Sequence, residues 1–175
     1  MHTRLTGKTL SAILSLSGVS LLYAATGPYD EVATWAKRDC DDYRALVSQT
    51  NRATSGREVA AAMRENVRRQ RQTIKILLQF ARAHPDLRDV AQLGLDEEGQ
   101  KYWRDHYPDR AALNPEINAI QRQLTNCLDT VGSGAQKEMV NAFRKYNQDR
   151  GVLAASMELH KMWADHDRIL IAALR

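Results

Sequence analysis

Few side chains in this chain could do chemistry, and their spacing narrows the choice quickly. Cys40 and Cys127 are its only thiols. Neither sits in a Cys-x-x-Cys or Cys-x-x-Cys-His pattern, so a thioredoxin-type centre and a c-type haem attachment both lack their motif. In an oxidising compartment the natural use of such a pair is one disulfide. That bridge would close a loop of roughly 90 residues and restrict the unfolded chain by about 4 kcal/mol.

A short echo comes next. Lys101-Tyr102-Trp103-Arg104-Asp105-His106 and Lys161-Met162-Trp163-Ala164-Asp165-His166 share Lys, Trp, Asp and His at the same offsets. Brought together, His106 and His166 with Asp105 and Asp165 would offer two imidazoles and two carboxylates to a transition metal. The spacing within each copy opposes this, because neighbours on a helix point about 100° apart. Glu-x-x-His and His-Glu-x-x-His, which do converge on one ion, are absent. The expectation is no metal and no cofactor. His166 lies in an apolar stripe beside Trp163 and reads as a core-edge histidine, with a pH-sensing role as the alternative. His160 falls off that stripe.

The third constellation is a basic stripe. Arg57, Arg64, Arg68, Arg71, Lys75 and Arg82 fall within about ±40° of one another on a helical projection, roughly 100° from the apolar face. Such a stripe faces solvent and is nearly unneutralised, with Glu58 and Glu65 as the local acids. It suits an acidic protein surface, an anionic lipid or a polyanion. The acidic runs Asp39, Asp41, Asp42 and Asp96, Glu97, Glu98 read as solvated faces or first-turn charges, with Asp96 capping a helix. Neither run has the alternating ligands and central glycine of a calcium loop. A Gly-x-Ser-x-Gly elbow, a phosphate-binding glycine loop and a zinc-protease motif are all missing. No enzyme is expected.

The elements that must position these groups are helices. Alternating strand patterns and Asn-Gly hairpins are lacking. Pro28 opens a first helix, with Asp30 and Glu31 in its first turn and Val32, Trp35, Ala36, Cys40, Tyr43, Leu46 and Val47 on its apolar face. Ser55 to Glu58 is a capping box for a second helix that His84-Pro85 stops near Ala83. Two short pieces, about 86–93 and 96–107, are separated by Gly94 and closed by Pro108. Asn114-Pro115 starts a helix that buries Ile117, Ile120, Leu124 and Cys127 and ends at Gly132. Ser133 to Gln136 reads as another capping box, and from Ala135 the chain stays helical, with a break expected at Gly151. Its stripe is Val152, Ala155, Leu159, Met162, Trp163, His166, Ile169, Leu170, Ala173 and Leu174. Both cysteines lie on apolar stripes of different helices, so they can meet in the core. The expected fold is all-α: a single-domain bundle of about four principal helices, a broken middle segment and one inter-helix disulfide.

Residues 1–25 read as an address. A basic start (His2, Arg4, Lys8), an apolar stretch from Thr9 to Tyr23 and the small residues Ala24 and Ala25 form the three parts of a secretory signal peptide. The apolar run falls short of the ~20 residues that span a bilayer. Residues 26–175 are then the helical domain. The leader holds two of the 25 basic residues and none of the 21 acidic ones, leaving 23 against 21. That balance argues against a nucleic-acid partner.

These observations lead to an exported protein, periplasmic or secreted, that works by binding another protein. An inhibitor, an immunity-type protein or an envelope accessory factor would fit. The expected contact residues are Arg64, Arg68, Arg71 and Lys75 on the basic stripe, meeting an acidic surface. Tyr102, Trp103 and Tyr107 on the interrupted segment are expected anchors; the competing reading packs them as a satellite core. The alternative function is a small-ligand or metal sensor built around His166, His106 and nearby acids. A third reading is a structural envelope protein, held at the membrane only through an uncleaved leader.

Overall fold

A computed structural model describes residues 27–175, so the leader expected over residues 1–25 lies outside the described residues. The described chain is all-α. Helix α1 (Pro28–Arg52) and helix α2 (Gly56–Ala83) form an antiparallel pair. A run of 3₁₀ turns (Pro85–Gly94), α3 (Glu97–His106) and the single turn α4 (Pro108–Ala111) make the broken middle. Three helices follow: α5 (Pro115–Thr130), α6 (Ser133–Lys145) and α7 (Arg150–Leu174).

Local chemistry sets most of these boundaries. Ser55 accepts from the Glu58 N–H, while the Glu58 carboxylate reaches back to the Thr54 N–H at 2.6 Å. Asp96 caps α3 by accepting from Gly99 at 2.8 Å, and Asn114 caps α5 by accepting from Ile117 at 2.9 Å. Gly132, at φ 79°, turns the chain from α5 into α6 in the left-handed conformation that glycine tolerates. Two expectations need correction. Gly132 is itself the N-cap of α6, so Ser133 is already the first helical residue rather than the cap. The late break falls at residues 146–149 rather than at Gly151, because Asp149 accepts from the N–H groups of Gly151 and Val152 and so starts α7.

Helix α2 is the shared partner. Helix α1 packs along one part of it and α7 along another, and the Arg64–Glu158 pair shows the α2–α7 register. Because two helices cover α2, its buried face is wide, running from Val59 and Met63 through Thr73 and Leu77 to Phe80. Helix α5 runs parallel to α1, tied by Asn114 to Tyr29, by Arg44 to Thr130 and by the Cys40–Cys127 bridge, whose Cα atoms are 6.2 Å apart. Met139 of α6 packs with Leu46, Val47 and Ala62 near the α1–α2 turn.

The largest hydrophobic cluster lies at the opposite end, where Trp35, Phe80, Trp103, Ile117, Leu170 and Leu174 come together. Burying each such side chain contributes about 1.5–3 kcal/mol. Gly94 is needed there: a Cβ would stand 2.6 Å from Leu77 Cδ1 and 3.0 Å from Leu170 Cδ1. Arg110 locks this end. Its guanidinium pairs with Asp89, donates to the Leu174 carbonyl and lies 4.9 Å over the Trp103 ring. Ile169, expected on the buried stripe of α7, is instead 42% exposed because it sits on the flank of that stripe.

Candidate functional site

Two features of the described surface have the chemistry of a binding site. The first is a cleft of about 670 Å³ into which α1, the end of the 3₁₀ run, α3, α5 and α7 all project. Trp35 and Asp39 come from α1, Asp96 and Glu98 from the start of α3, and His160, Trp163 and Asp167 from α7. Trp35 and Asp39 are one helical turn apart, as are His160, Trp163 and Asp167, which is why each helix delivers its set to one face. No lysine or arginine lines it.

The carboxylates here are in unusual surroundings. Asp39 receives a hydrogen bond from Gln70 at 2.9 Å, and burial, with Asp42 nearby, still raises its pKa above the ordinary value. Asp167 accepts from the Asp96 N–H at 3.0 Å. Burial first, and then the Asp96 carboxyl beside it, raise the Asp167 pKa to about 7. Asp167 therefore still holds its proton in part near neutral pH. Sequence reasoning treated Asp39 and Asp42 as parts of solvated faces. The structure corrects this: Asp42 is buried and accepts from Thr73 at 2.8 Å, and Asp39 lines the cleft. The available signal was polar residues recurring inside apolar stripes, with Asp39 beside Cys40 and Gln70 and Thr73 among the buried positions of α2.

The second feature is the basic face of α2. Arg57, Arg64, Arg68, Arg71, Lys75 and Arg82 are all exposed. They are less free than the sequence suggested, since Arg64 pairs with Glu158 of α7 at 3.3 Å and Arg68 makes a two-pronged contact with Glu65. Hydrogen bonds from Arg68 and then from Arg69 pull the Glu65 pKa down to about 2. Among the described residues, no carboxylate lies within 4.0 Å of Arg57, Arg71, Lys75 or Arg82. Twenty-five residues of helix put the ends of this row about 38 Å apart.

The expected aromatic anchors divide. Trp103 is fully buried in the main cluster and presents nothing to a partner, because the broken segment folds back onto α2 and α7. Tyr107 leans on Trp103, with ring centroids 4.3 Å apart, and stays half-buried. Tyr102 is also half-buried, stacks on His106 at 4.0 Å and accepts from Arg175. Trp103 thus belongs to the main core, not to a satellite of it.

The echo resolves into two matching i,i+4 ion pairs, Lys101–Asp105 and Lys161–Asp165. It does not unite the histidines. His106 is exposed on Tyr102, whose hydroxyl meets Arg175, nine residues beyond His166 and so about 13 Å further along α7 by helical rise. His166 is buried at 3% exposure, edge-on to Trp163, with neither ring nitrogen bonded. Burial, helped by the Arg71 charge, lowers its pKa to about 4, so the ring is neutral at physiological pH. Among the described residues, no group of three or more His, Cys, Asp or Glu side chains is placed to hold a metal ion. Nor, among these residues, is any helix long and apolar enough to cross a membrane.

Comparison with protein-family models, with curated proteins and with solved structures finds no match to this chain.

Proposed function

We propose that this chain is an exported helical binding protein, an inhibitor, immunity-type or accessory factor of the periplasm or the secreted fraction. It docks an acidic surface of another protein through the basic face of α2. The observation that carries this reading is the row of four open cations, Arg57, Arg71, Lys75 and Arg82, along one exposed helix. Unpaired cations in a row steer an acidic partner and set its register. Arg64 and Arg68 would have to exchange Glu158 and Glu65 for the partner's carboxylates, so they contribute less than the open four. The leader pattern over residues 1–25 and the Cys40–Cys127 bridge support export. Binding is favoured over catalysis because the Asp96 and Asp167 carboxyls are engaged with backbone N–H groups at the start of α3.

The test is capture in the native host, comparing the wild type with a variant carrying Arg71→Glu, Lys75→Glu and Arg82→Glu. The wild type should retain a partner whose contact surface is acidic, with capture weakening as salt rises. The variant should keep its helical circular dichroism and lose the partner. Equal capture by both would overturn the assignment of this face. The cleft favours a second reading, in which the chain holds a small ligand.

A further inference from the structure

We infer that the cleft between α1 and α7 binds an elongated organic cation, an alkyl di- or polyamine, with its ammonium groups on Asp39, Asp96 and Asp167 and its methylene chain against Trp35 and Trp163. This deepens the small-ligand reading and does not depend on the basic face of α2.

The cavity comes first. At about 670 Å³ it has the size of a site for a small organic molecule. Its walls join aromatic rings to anionic groups, which is the pairing that recognises organic ammonium ions. Of the two rings, Trp163 is the half-buried one and Trp35 is 3% exposed, so the chain would rest mainly on Trp163 while the carboxylates accept the N–H bonds. The charge is also uncompensated: of the described ion pairs, none involves Asp39, Asp96, Glu98 or Asp167.

The arrangement also separates an organic cation from a metal ion. Asp39 projects from α1, Asp96 from the start of α3 and Asp167 from α7, and these acids do not gather into a set of three that one ion could bridge. Charges distributed around a cleft match a ligand whose own charges are distributed along a chain. An arriving ammonium would displace the proton held by Asp167, which links binding to proton release.

The experiment is titration calorimetry on the purified, disulfide-bonded protein, with cadaverine, spermidine, pentanediol and calcium as separate probes. Saturable binding of cadaverine or spermidine is expected, and none of pentanediol, which keeps the chain and lacks the charge. Runs near pH 6 in buffers of different ionisation enthalpy should show protons released on binding. Asp39→Asn, which preserves shape, should weaken binding by about tenfold or more, and Trp163→Ala should weaken it too. Glu97→Gln, an exposed neighbour outside the cleft, should leave affinity unchanged. Failure of both amines to saturate overturns the inference. So does equal weakening by Glu97→Gln, which would mean diffuse attraction to an acidic surface, or tighter binding of calcium than of either amine. Reversing Arg71 and Lys75 leaves this binding intact, so its failure is distinguishable from failure of the docking face.

Discussion

The Asp167 carboxylate accepts the backbone N–H of Asp96 at 3.0 Å and so fastens the start of α3 to the last helix. One residue earlier on α7, His166 is buried among helices with no partner for its ring. These neighbours carry opposite shifts. Asp167 is raised to about 7 by burial and the Asp96 carboxyl, and His166 is lowered to about 4 by burial and the Arg71 charge.

Their effects on stability should oppose each other across mildly acidic pH. The folded state prefers the protonated Asp167, so that stabilisation is present below about pH 4 and is lost as pH rises to about 7. The folded state also prefers neutral His166, so that contribution is absent at about pH 4 and grows as pH rises to about 6.5. Urea unfolding across this range should therefore show Asp167→Asn gaining stability relative to wild type as pH rises. His166→Gln should show the reverse trend. A variant that runs parallel to wild type would show that its group does not titrate as assigned.

Gly99 faces the same Asp167 carboxylate. A Cβ at Gly99 would stand 2.6 Å from the Asp167 Cγ and closer still to Oδ2. Gly99→Ala should cost about 1–3 kcal/mol through overpacking. Adding Asp167→Ala should recover part of that loss, since it removes the group that clashes. Two independent, additive losses in thermal melts would contradict the contact.

The helix boundaries were legible because their signals are local. Pro28, Ser55, His84-Pro85 and Asn114-Pro115 each act within one turn, and each marks an end in the structure. The cysteine pairing was legible because both residues fall on apolar stripes. The turn before α7 was not, because Tyr146-Asn147-Gln148-Asp149 contains neither glycine nor proline. Only the hydrogen bonds of Asp149 to Gly151 and Val152 reveal the stop. Whether Trp103 was an anchor or a core residue stayed open because its burial depends on Ile117 and Leu174, far away in sequence. The cleft was invisible for the same reason: its acids share no spacing and meet only when α1, α3 and α7 assemble.

Arg110 joins three parts of the chain that the sequence leaves separate. It forks onto Asp89 of the 3₁₀ run, donates to the last carbonyl of α7 and covers the Trp103 ring. Lysine cannot reproduce that fork or the planar stacking. Arg110→Ala should lower stability by about 1–3 kcal/mol, and Arg110→Lys should recover less than half of it. The loss should appear first in hydrogen exchange of α3 and the final turns of α7. Unchanged protection there would mean that the clamp is ornamental.

The Cys40–Cys127 bridge acts on the unfolded chain more than on the folded one. Helix α5 is held to α1 independently by Asn114 to Tyr29 and by Arg44 to Thr130, so reduction removes no obvious packing contact. What it releases is a loop spanning 87 residues of sequence. The loop-closure model puts the loss at about 4 kcal/mol. A Cys40→Ala, Cys127→Ala protein should therefore keep its helical spectrum and unfold at lower urea. It should also unfold with a steeper slope, because its unfolded state exposes more surface. Thiol titration of the unreduced wild type in denaturant should find no free thiol. Two free thiols would mean that the bridge is absent, and an unchanged urea midpoint in the double variant would mean that it does not restrict the unfolded chain.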